Sequence, residues 1–242
     1  MEILEKLVDQ LEKEYDENQQ IGILQNIGKI LLTNYIICID DVTINPLWVE
    51  AYYYHKNNFP DCNSHLSDGQ KNRFGQLYFH KKGRGGIDIC LSKNEQYYLS
   101  FLIKASFMKN KDDKPVFKKQ TEIYDILSLT EKTEKEIEGL KDILKPNKTY
   151  KSNCKVGFTT RVNLTKPCFS DSKLAVFNLE QIANSECDFS FARSNISIVA
   201  EEFMYDYIKT HSGLTQRDYE DECRKIFGWL PDNVWAIIKE NI

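Results

Sequence analysis

The most informative stretch of this chain spans residues 48–53, Trp-Val-Glu-Ala-Tyr-Tyr, with Ser64-His65 a short distance beyond it. β-Branched and aromatic residues favour strands, so these six residues predict one. Alternate side chains of a strand share a face, which puts Glu50 and Tyr52 on the same side as Trp48. Burying a carboxylate there is costly unless a function requires it. Glu50 is therefore either a functional group beside stacking aromatics or an exposed residue on an edge strand.

The regions on both sides of this stretch alternate between strand and helix patterns. Strands are predicted at 35–40, 47–54, 76–80, 86–92, 97–108, 156–164 and 173–178, with turns at Asp40-Asp41 and Asn45-Pro46. Apolar residues at every third or fourth position predict helices at 2–16, 23–32, 130–144, 196–210, 216–227 and 234–240. This order indicates the α+β class, with a curved, mainly antiparallel sheet (a partly open barrel) flanked by helices.

Length and composition favour one globular domain over residues 1–242, with 195–242 as a helical extension. The 242 residues are 41% hydrophobic and 12% aromatic, which is typical of a protein with a packed core. No apolar run approaches the ~20 residues needed to span a bilayer. Seven cysteines are present without a Cys-x-x-Cys pair, so we expect reduced thiols in a cytoplasmic protein, with neither a zinc site nor a disulfide framework.

The net charge of −4 argues against nucleic acid as a partner, because affinity for DNA comes largely from neutralising phosphates. An acidic protein that binds DNA must concentrate its positive charge locally. Two segments are basic, residues 80–86 and residues 109–119. Each is more often a solvated loop than a binding surface.

The order of motifs from about residue 22 to about residue 106 nevertheless resembles a known family. The motifs are Trp48-Val49-Glu50-Ala51-Tyr52, Asn63-Ser64-His65, Asn72-Arg73-Phe74-Gly75, Gln76-Leu77-Tyr78-Phe79-His80 and Leu102-Ile103-Lys104-Ala105. They are similar to the alkyladenine (3-methyladenine) DNA glycosylase family, whose catalytic glutamate lies on a strand ending in Glu-Ala-Tyr. The resemblance implies a metal-independent hydrolase without a cofactor, which releases a modified base from DNA.

The resemblance also implies roles for individual residues. Glu50 matches the glutamate that activates water, and His65 matches the histidine that helps to hold the water and the base. Tyr52 matches the tyrosine that stacks on the flipped-out base. We therefore expect Glu50 and His65 within hydrogen-bond reach of each other, directly or through one water, facing a cleft lined by Tyr52 and His80.

The chain departs from the family pattern at several of the base-binding positions. His80 stands where the family has a tyrosine, so this wall of the pocket is more polar, and the imidazole can titrate near neutral pH. Tyr78 lies on the same strand face as His80. Lys104 replaces an arginine, which changes how water or phosphate is positioned. Asp88 lies near an asparagine of the family. We expect its carboxylate to accept a hydrogen bond from an exocyclic amine of the base, and so to favour bases with extra hydrogen-bonding groups.

Residues expected to contact DNA are Arg73, Lys81, Lys82, Arg84 and Arg161. Arg84 is the side chain able to fill the gap left by the flipped base, because the intercalating tyrosine of the family has no equivalent in this sequence. Arg161 is either a phosphate contact or a structural ion-pair partner.

Two other functions fit parts of the same sequence. A metal-dependent nuclease using Asp88 and Lys104 would need an acidic residue two positions before the lysine, where Leu102 stands. The second alternative is a non-catalytic binding module on the same scaffold. The presence of both Glu50 and His65 argues against it.

Overall fold

A computed structural model describes residues 1–80, 85–111, 113–148, 155–179, 187–188 and 193–242. Within them the chain forms seven α-helices: α1 (Glu2–Lys13), α2 (Glu17–Asn34), α3 (Gln120–Ser128), α4 (Glu134–Glu138), α5 (Arg193–Thr210), α6 (Gln216–Phe227) and α7 (Asp232–Glu240). The strands are β1 (Tyr35–Ile39), β2 (Val42–His55), β3 (Phe59–Pro60), β4 (Gln76–Phe79), β5 (Ile87–Cys90), β6 (Tyr97–Lys109), β7 (Val116–Lys119), β8 (Leu144–Pro146), β9 (Val156–Thr159) and β10 (Ala175–Asn178). The predicted α+β class, with a curled antiparallel half-barrel, is confirmed.

The sheet is built around the long antiparallel pair of β2 and β6. Its main path runs β4-β5-β6-β2-β1-β8, and β3, β7, β9 and β10 pair outside this path. Register shifts between Pro46 and Val49 mark a bulge in β2, which bends the strand and increases its twist. The turn predicted at Asn45-Pro46 is therefore wrong. The strand continues through Pro46 because a bulge accommodates a residue that cannot donate a backbone hydrogen bond.

Strand β2 contributes its two faces to two different cores. Val49, Ala51 and Tyr53 belong to the larger apolar cluster, which packs α1 and α2 against the sheet. Trp48 belongs to a second cluster, built with the C-terminal helices α5, α6 and α7. Its ring stacks on Phe177 with the ring centroids 4.4 Å apart. The alternation seen in the sequence thus separates the main core from the face that carries Glu50.

The helix predicted at 130–144 is wrong. Thr133 caps the short α4, with its hydroxyl accepting from the Glu136 N–H, and that helix ends at Glu138. Leu144 instead begins β8 and pairs with Ile37 of β1. Pairing with the free side of β1 therefore outweighed the local helical pattern. The predicted cap, Thr130, closes the end of α3, which the sequence did not predict, by donating to the Leu127 carbonyl oxygen.

The C-terminal helices begin and end close to the positions expected from their caps. Thr215 caps α6, and Gly228 follows it in the left-handed conformation with φ of 80°. Among the described residues, no helix is both long and apolar enough to cross a membrane.

Candidate active site

A cavity of about 680 Å³ opens beside Tyr52, near the C-terminal end of β2. Its volume falls within the ~300–1,000 Å³ that is typical of small-molecule sites. Its walls include Tyr52, His65, Tyr78, His80, Asp88 and Lys166. Five of these six residues were predicted for the site from the sequence, and Lys166 was not.

Glu50 lies at the centre of the sheet, since β2 pairs with β10 at Ala175 on one side and with β6 at Leu102 on the other. The edge-strand interpretation of Glu50 is therefore wrong. Its side chain is 0% exposed. Oε1 accepts a hydrogen bond from the Val162 N–H at 2.8 Å, and Oε2 accepts one from the Tyr52 hydroxyl at 3.1 Å. Glu50 thus connects to the cavity wall through Tyr52.

The charge of Glu50 is only partly balanced by its surroundings. Lys104 Nζ lies 3.8 Å from Oε2, beyond hydrogen-bond distance. Burial raises the pKa of Glu50, while Lys104, the Val162 N–H and the Tyr52 hydroxyl oppose that rise without cancelling it. A carboxylate with a raised pKa is suited to accepting a proton near neutral pH.

Tyr52 links this buried carboxylate to the cavity. Its hydroxyl donates to Glu50, and its ring lies over the Arg161 guanidinium, whose Cζ is 4.7 Å from the ring centroid. Burial and the neighbouring Glu50 raise the pKa of Tyr52 well above its ordinary value. Tyr52 therefore remains a neutral donor. Its orientation is set by the hydrogen bond of its hydroxyl to Glu50 and by the contact of its ring with Arg161.

Asp88, which pairs with Leu102 of β6, organises a polar cluster that includes His80. Its Oδ2 accepts from Gln70 Nε2 at 2.6 Å and from the Ser100 hydroxyl at 2.7 Å. Its Oδ1 lies 3.0 Å from His80 Nε2. This is an ion-pair contact, and Oδ1 accepts no hydrogen bond from the described residues, so the expectation that Asp88 accepts one from the base stays a prediction. Gln70 and Ser100 carried no signal in the sequence, because each is an ordinary polar residue in its segment.

The two histidines of the cavity differ in their electrostatics, although their ring centroids are only 5.1 Å apart. Burial acts to lower the pKa of His80, but Asp88 and Glu138 outweigh it and raise the pKa above 6.5. Burial and the neighbouring His80 lower the pKa of His65 below 6.5, against a smaller opposing effect of Asp88. Near neutral pH, His80 is thus the better proton donor and His65 a neutral ring.

No direct hydrogen bond joins Glu50 to His65 within the described part of the chain. Glu50 bonds to Tyr52 and Val162, whereas His65 Nε2 lies 3.4 Å from the Tyr78 hydroxyl. The direct alternative of the prediction is therefore not formed, and contact through one water stays a prediction. His65 lines the cavity, whereas the fully buried Glu50 is linked to it through Tyr52.

Arg161 is a structural ion-pair partner and not a phosphate contact. Its guanidinium is fully buried, and it donates to both oxygens of the equally buried Asp61, at 2.5 and 3.2 Å. It also donates to the Ala51 carbonyl oxygen at 3.1 Å. The pairing was missed because Asp61 and Arg161 are 100 residues apart. Arg73 Nη1 lies 3.5 Å from Glu138, and its contact with DNA stays a prediction.

The loop that carries His65 is fastened to the segment after β9. Cys62 and Cys168 form a disulfide with their Cα atoms 5.8 Å apart. Asn63 Nδ2 donates to the Cys168 carbonyl oxygen at 2.8 Å, and Lys166 Nζ donates to the Cys62 carbonyl oxygen at 2.8 Å. The expectation of reduced thiols without a disulfide is wrong at this pair. No local pattern indicated this bond, because the two cysteines are 106 residues apart.

The remaining predicted contacts lie on the basic turn. Lys81, Lys82 and Arg84 fall outside the described residues. Across the ranges that are described, no group of three or more His, Cys, Asp or Glu residues is arranged to hold a metal ion.

The structure thus assembles the predicted residues into two connected groups. Glu50, Lys104 and Tyr52 form the buried group, and His65, Tyr78, His80 and Asp88 surround the cavity. The sequence matches no model of a known protein family, and a search of curated proteins found no match.

Proposed function

We propose that this protein hydrolyses the N-glycosidic bond of a modified base that is flipped out of DNA, with Glu50 as the general base. The observation that supports this most strongly is the fully buried, incompletely balanced carboxylate of Glu50 next to an aromatic cavity. Active sites are where groups with perturbed pKa values and a cavity occur together.

Of the two oxygens of Glu50, Oε2 has the longer hydrogen bond and is the better placed to take a proton. Oε1 is held by the Val162 N–H, so Oε2, near Lys104 and the Tyr52 hydroxyl, is the atom that accepts the proton of the attacking water. Because Glu50 has no exposed surface, the attacking water has to pass the Tyr52 side chain to reach Oε2. Lys104 opposes the rise in the pKa of Glu50 and so favours its ionised form, which is the form that accepts a proton.

The cavity walls suit a flat ring. Tyr52 and Tyr78, with the imidazoles of His65 and His80, offer aromatic surfaces and polar edges around the cavity. Enzymes that act on flipped bases hold them between such groups. His80 and Asp88 are the polar side chains of the wall that would select the base by hydrogen bonds.

The proposal that DNA is the partner depends on local concentrations of positive charge. Lys166 at the rim, Arg73 and the basic turn at 80–86 would supply the phosphate contacts that the net charge of −4 does not. A cytoplasmic location stays a prediction, and the Cys62–Cys168 disulfide weighs against a strongly reducing compartment.

A base-release assay on purified protein separates this function from its alternatives. Duplexes carrying single alkylated, deaminated or bulky bases are incubated with protein and a chelator, then divided into samples with and without alkali. We expect abasic sites that break only after alkali treatment. Glu50→Gln, purified in the same way, controls for contaminating activity, and Glu95→Gln, at an exposed position, controls for loss of a carboxylate.

Other outcomes would overturn the proposal. Strand breaks without alkali that disappear with chelator would identify a nuclease. A gel shift with every base retained would identify a binding module.

A further inference from the structure

The Arg161 guanidinium lies behind the Tyr52 ring. Its Cζ is 4.7 Å from the ring centroid, and its side chain is fully buried. Among the described residues, Tyr52 lines the cavity and Arg161 does not, so the guanidinium contacts the ring from within the protein. A cation over an aromatic face is attracted to it, most strongly where water is excluded. Arg161 thus supports the ring that is exposed to a ligand in the cavity.

The residue that follows Arg161 holds the Glu50 carboxylate. The Val162 N–H donates to Oε1 at 2.8 Å, and the Tyr52 hydroxyl donates to Oε2 at 3.1 Å. Both donors to Glu50 are therefore held by Arg161, one through the main chain and the other through the ring. Burial raises the pKa of Glu50, and the positive charge of Arg161 is among the charges that oppose this rise. Arg161 consequently acts on both the position and the charge of Glu50.

Asp61 fixes the guanidinium in this place. Arg161 Nη1 and Nη2 donate to the two oxygens of Asp61 at 2.5 and 3.2 Å. Nη1 also donates at 3.1 Å to the carbonyl oxygen of Ala51, the residue between Glu50 and Tyr52. A planar fork of donors paired with a carboxylate fixes orientation as well as charge. The pair therefore joins the loop that begins at Asp61 to the strand that carries Glu50 and Tyr52.

We propose that Arg161 is a positioning residue for base release, which acts through Tyr52 and Glu50 and is itself held by Asp61. This inference rests on the function proposed above. Arg161 touches neither the base nor the attacking water. It keeps the Tyr52 ring in place to stack on the base, and its charge favours the ionised form of Glu50, which is the form that accepts a proton.

A positioning role has consequences that a purely structural role lacks. If Arg161 only stabilised the fold, a folded variant without it would release base at the wild-type rate and with the wild-type pH dependence. If Arg161 positions Tyr52 and Glu50, the same variant releases base more slowly. It also needs a higher pH, because removing a nearby cation raises the pKa of Glu50 further and leaves less of its ionised form.

The test neutralises the ion pair as a whole. Asp61→Asn combined with Arg161→Met leaves no buried charge without a partner, which is what makes a single removal costly. Asparagine also keeps an acceptor for the Asn63 N–H. Single-turnover base release by this variant should fall on the order of 10²-fold, the usual cost of a displacement of about 1 Å, and its half-maximal rate should move to higher pH. Urea unfolding of the same preparation verifies that the variant is folded.

Arg161→Lys separates the charge from the geometry. Lysine keeps the positive charge but lacks the planar fork, so the pH dependence should stay close to that of the wild type while the maximal rate stays low. Asp9→Asn with Lys93→Met neutralises an ion pair between α1 and the segment before β6, and should match the wild type in both respects. A folded Asp61→Asn, Arg161→Met variant with the wild-type rate and pH dependence would overturn the inference.

An NMR titration of the glutamate side chains gives a readout that does not depend on activity. The signal missing in Glu50→Gln belongs to Glu50, and it should titrate at higher pH in the Asp61→Asn, Arg161→Met variant than in the wild type. An unchanged titration would contradict the inference. Failure of the proposed function is distinguishable, since a wild type that releases no base refutes both proposals. A wild type that releases base at a rate unaffected by the double substitution refutes the role of Arg161 alone.

Discussion

Two carboxylates of this protein, Glu50 and Asp61, are both 0% exposed and both lie near Arg161, yet their surroundings are opposite. Asp61 receives two hydrogen bonds from the Arg161 guanidinium and a third from the Asn63 N–H at 3.0 Å. Glu50 receives one backbone and one hydroxyl hydrogen bond, and its nearest cation, Lys104, is 3.8 Å away.

The difference separates a structural charge from a reactive one. The charge of Asp61 is matched by a planar fork of donors, which fixes the His65 loop to the segment around Arg161. The charge of Glu50 is not fully matched, so burial dominates and raises its pKa. A protein tolerates such a mismatch where a function depends on it. Replacing each carboxylate by its amide should therefore change stability in opposite directions.

The largest effect is expected for Asp61→Asn. The change leaves the buried Arg161 cation without its partner, and breaking a buried ion pair in this way lowers the free energy of unfolding by ~3–5 kcal/mol. Urea unfolding measures it, with Asp41→Asn at an exposed turn as the control. A loss no larger than that of the control would mean that Asp61 does not stabilise the fold.

A somewhat smaller effect is expected from removing the disulfide that fastens the same loop. Cys62→Ser with Cys168→Ser should lower the free energy of unfolding by about 2–4 kcal/mol, because the cross-link restricts the unfolded chain. Cys38→Ser serves as the control, since Cys38 is a free cysteine. A wild type whose unfolding midpoint is the same with and without reductant would contradict the prediction.

Glu50→Gln should give the smallest change in stability, and of the opposite sign. The folded-state pKa of Glu50 is raised above 4.5, so folding favours the protonated form, and stability is lost as pH rises from 4.5 through the folded pKa. Glutamine cannot ionise and avoids this loss. The variant should unfold at a higher temperature than the wild type at pH 7, with the difference vanishing below pH 4.5. Destabilisation at pH 7 would show that Lys104 balances Glu50 better than the geometry indicates.

The sequence was sufficient for the parts of the fold that depend on local patterns. The alternation around Trp48, Glu50 and Tyr52 separated the two faces of β2 correctly, and the caps of the C-terminal helices defined their positions. The turn predicted at Asn45-Pro46 was wrong because a bulge, unlike a turn, has no recognisable pattern in the local sequence. The helix predicted at 130–144 failed because pairing with β1 decides the structure of β8.

The site was predictable where it follows the strands and not where distant segments meet. Tyr52, Tyr78, His80 and Asp88 were identified by the resemblance of their strands to the glycosylase motifs, and they line one cavity. The pairing of Asp61 with Arg161 and that of the two cysteines join residues at least 100 apart, for which spacing carries no information. The partners of Asp88 were missed for a different reason, because Gln70 and Ser100 are ordinary polar residues in their segments.

Single-turnover base release by Glu50→Gln, measured together with the unfolding temperature of the same preparation, tests the central claim most directly. We expect the release rate to fall on the order of 10²–10⁴-fold, because glutamine keeps the size and polarity of the side chain but cannot accept the proton. Affinity for the modified duplex should stay close to that of the wild type, and the unfolding temperature at pH 7 should not decrease. A variant that remains folded and releases base at the wild-type rate would contradict the account.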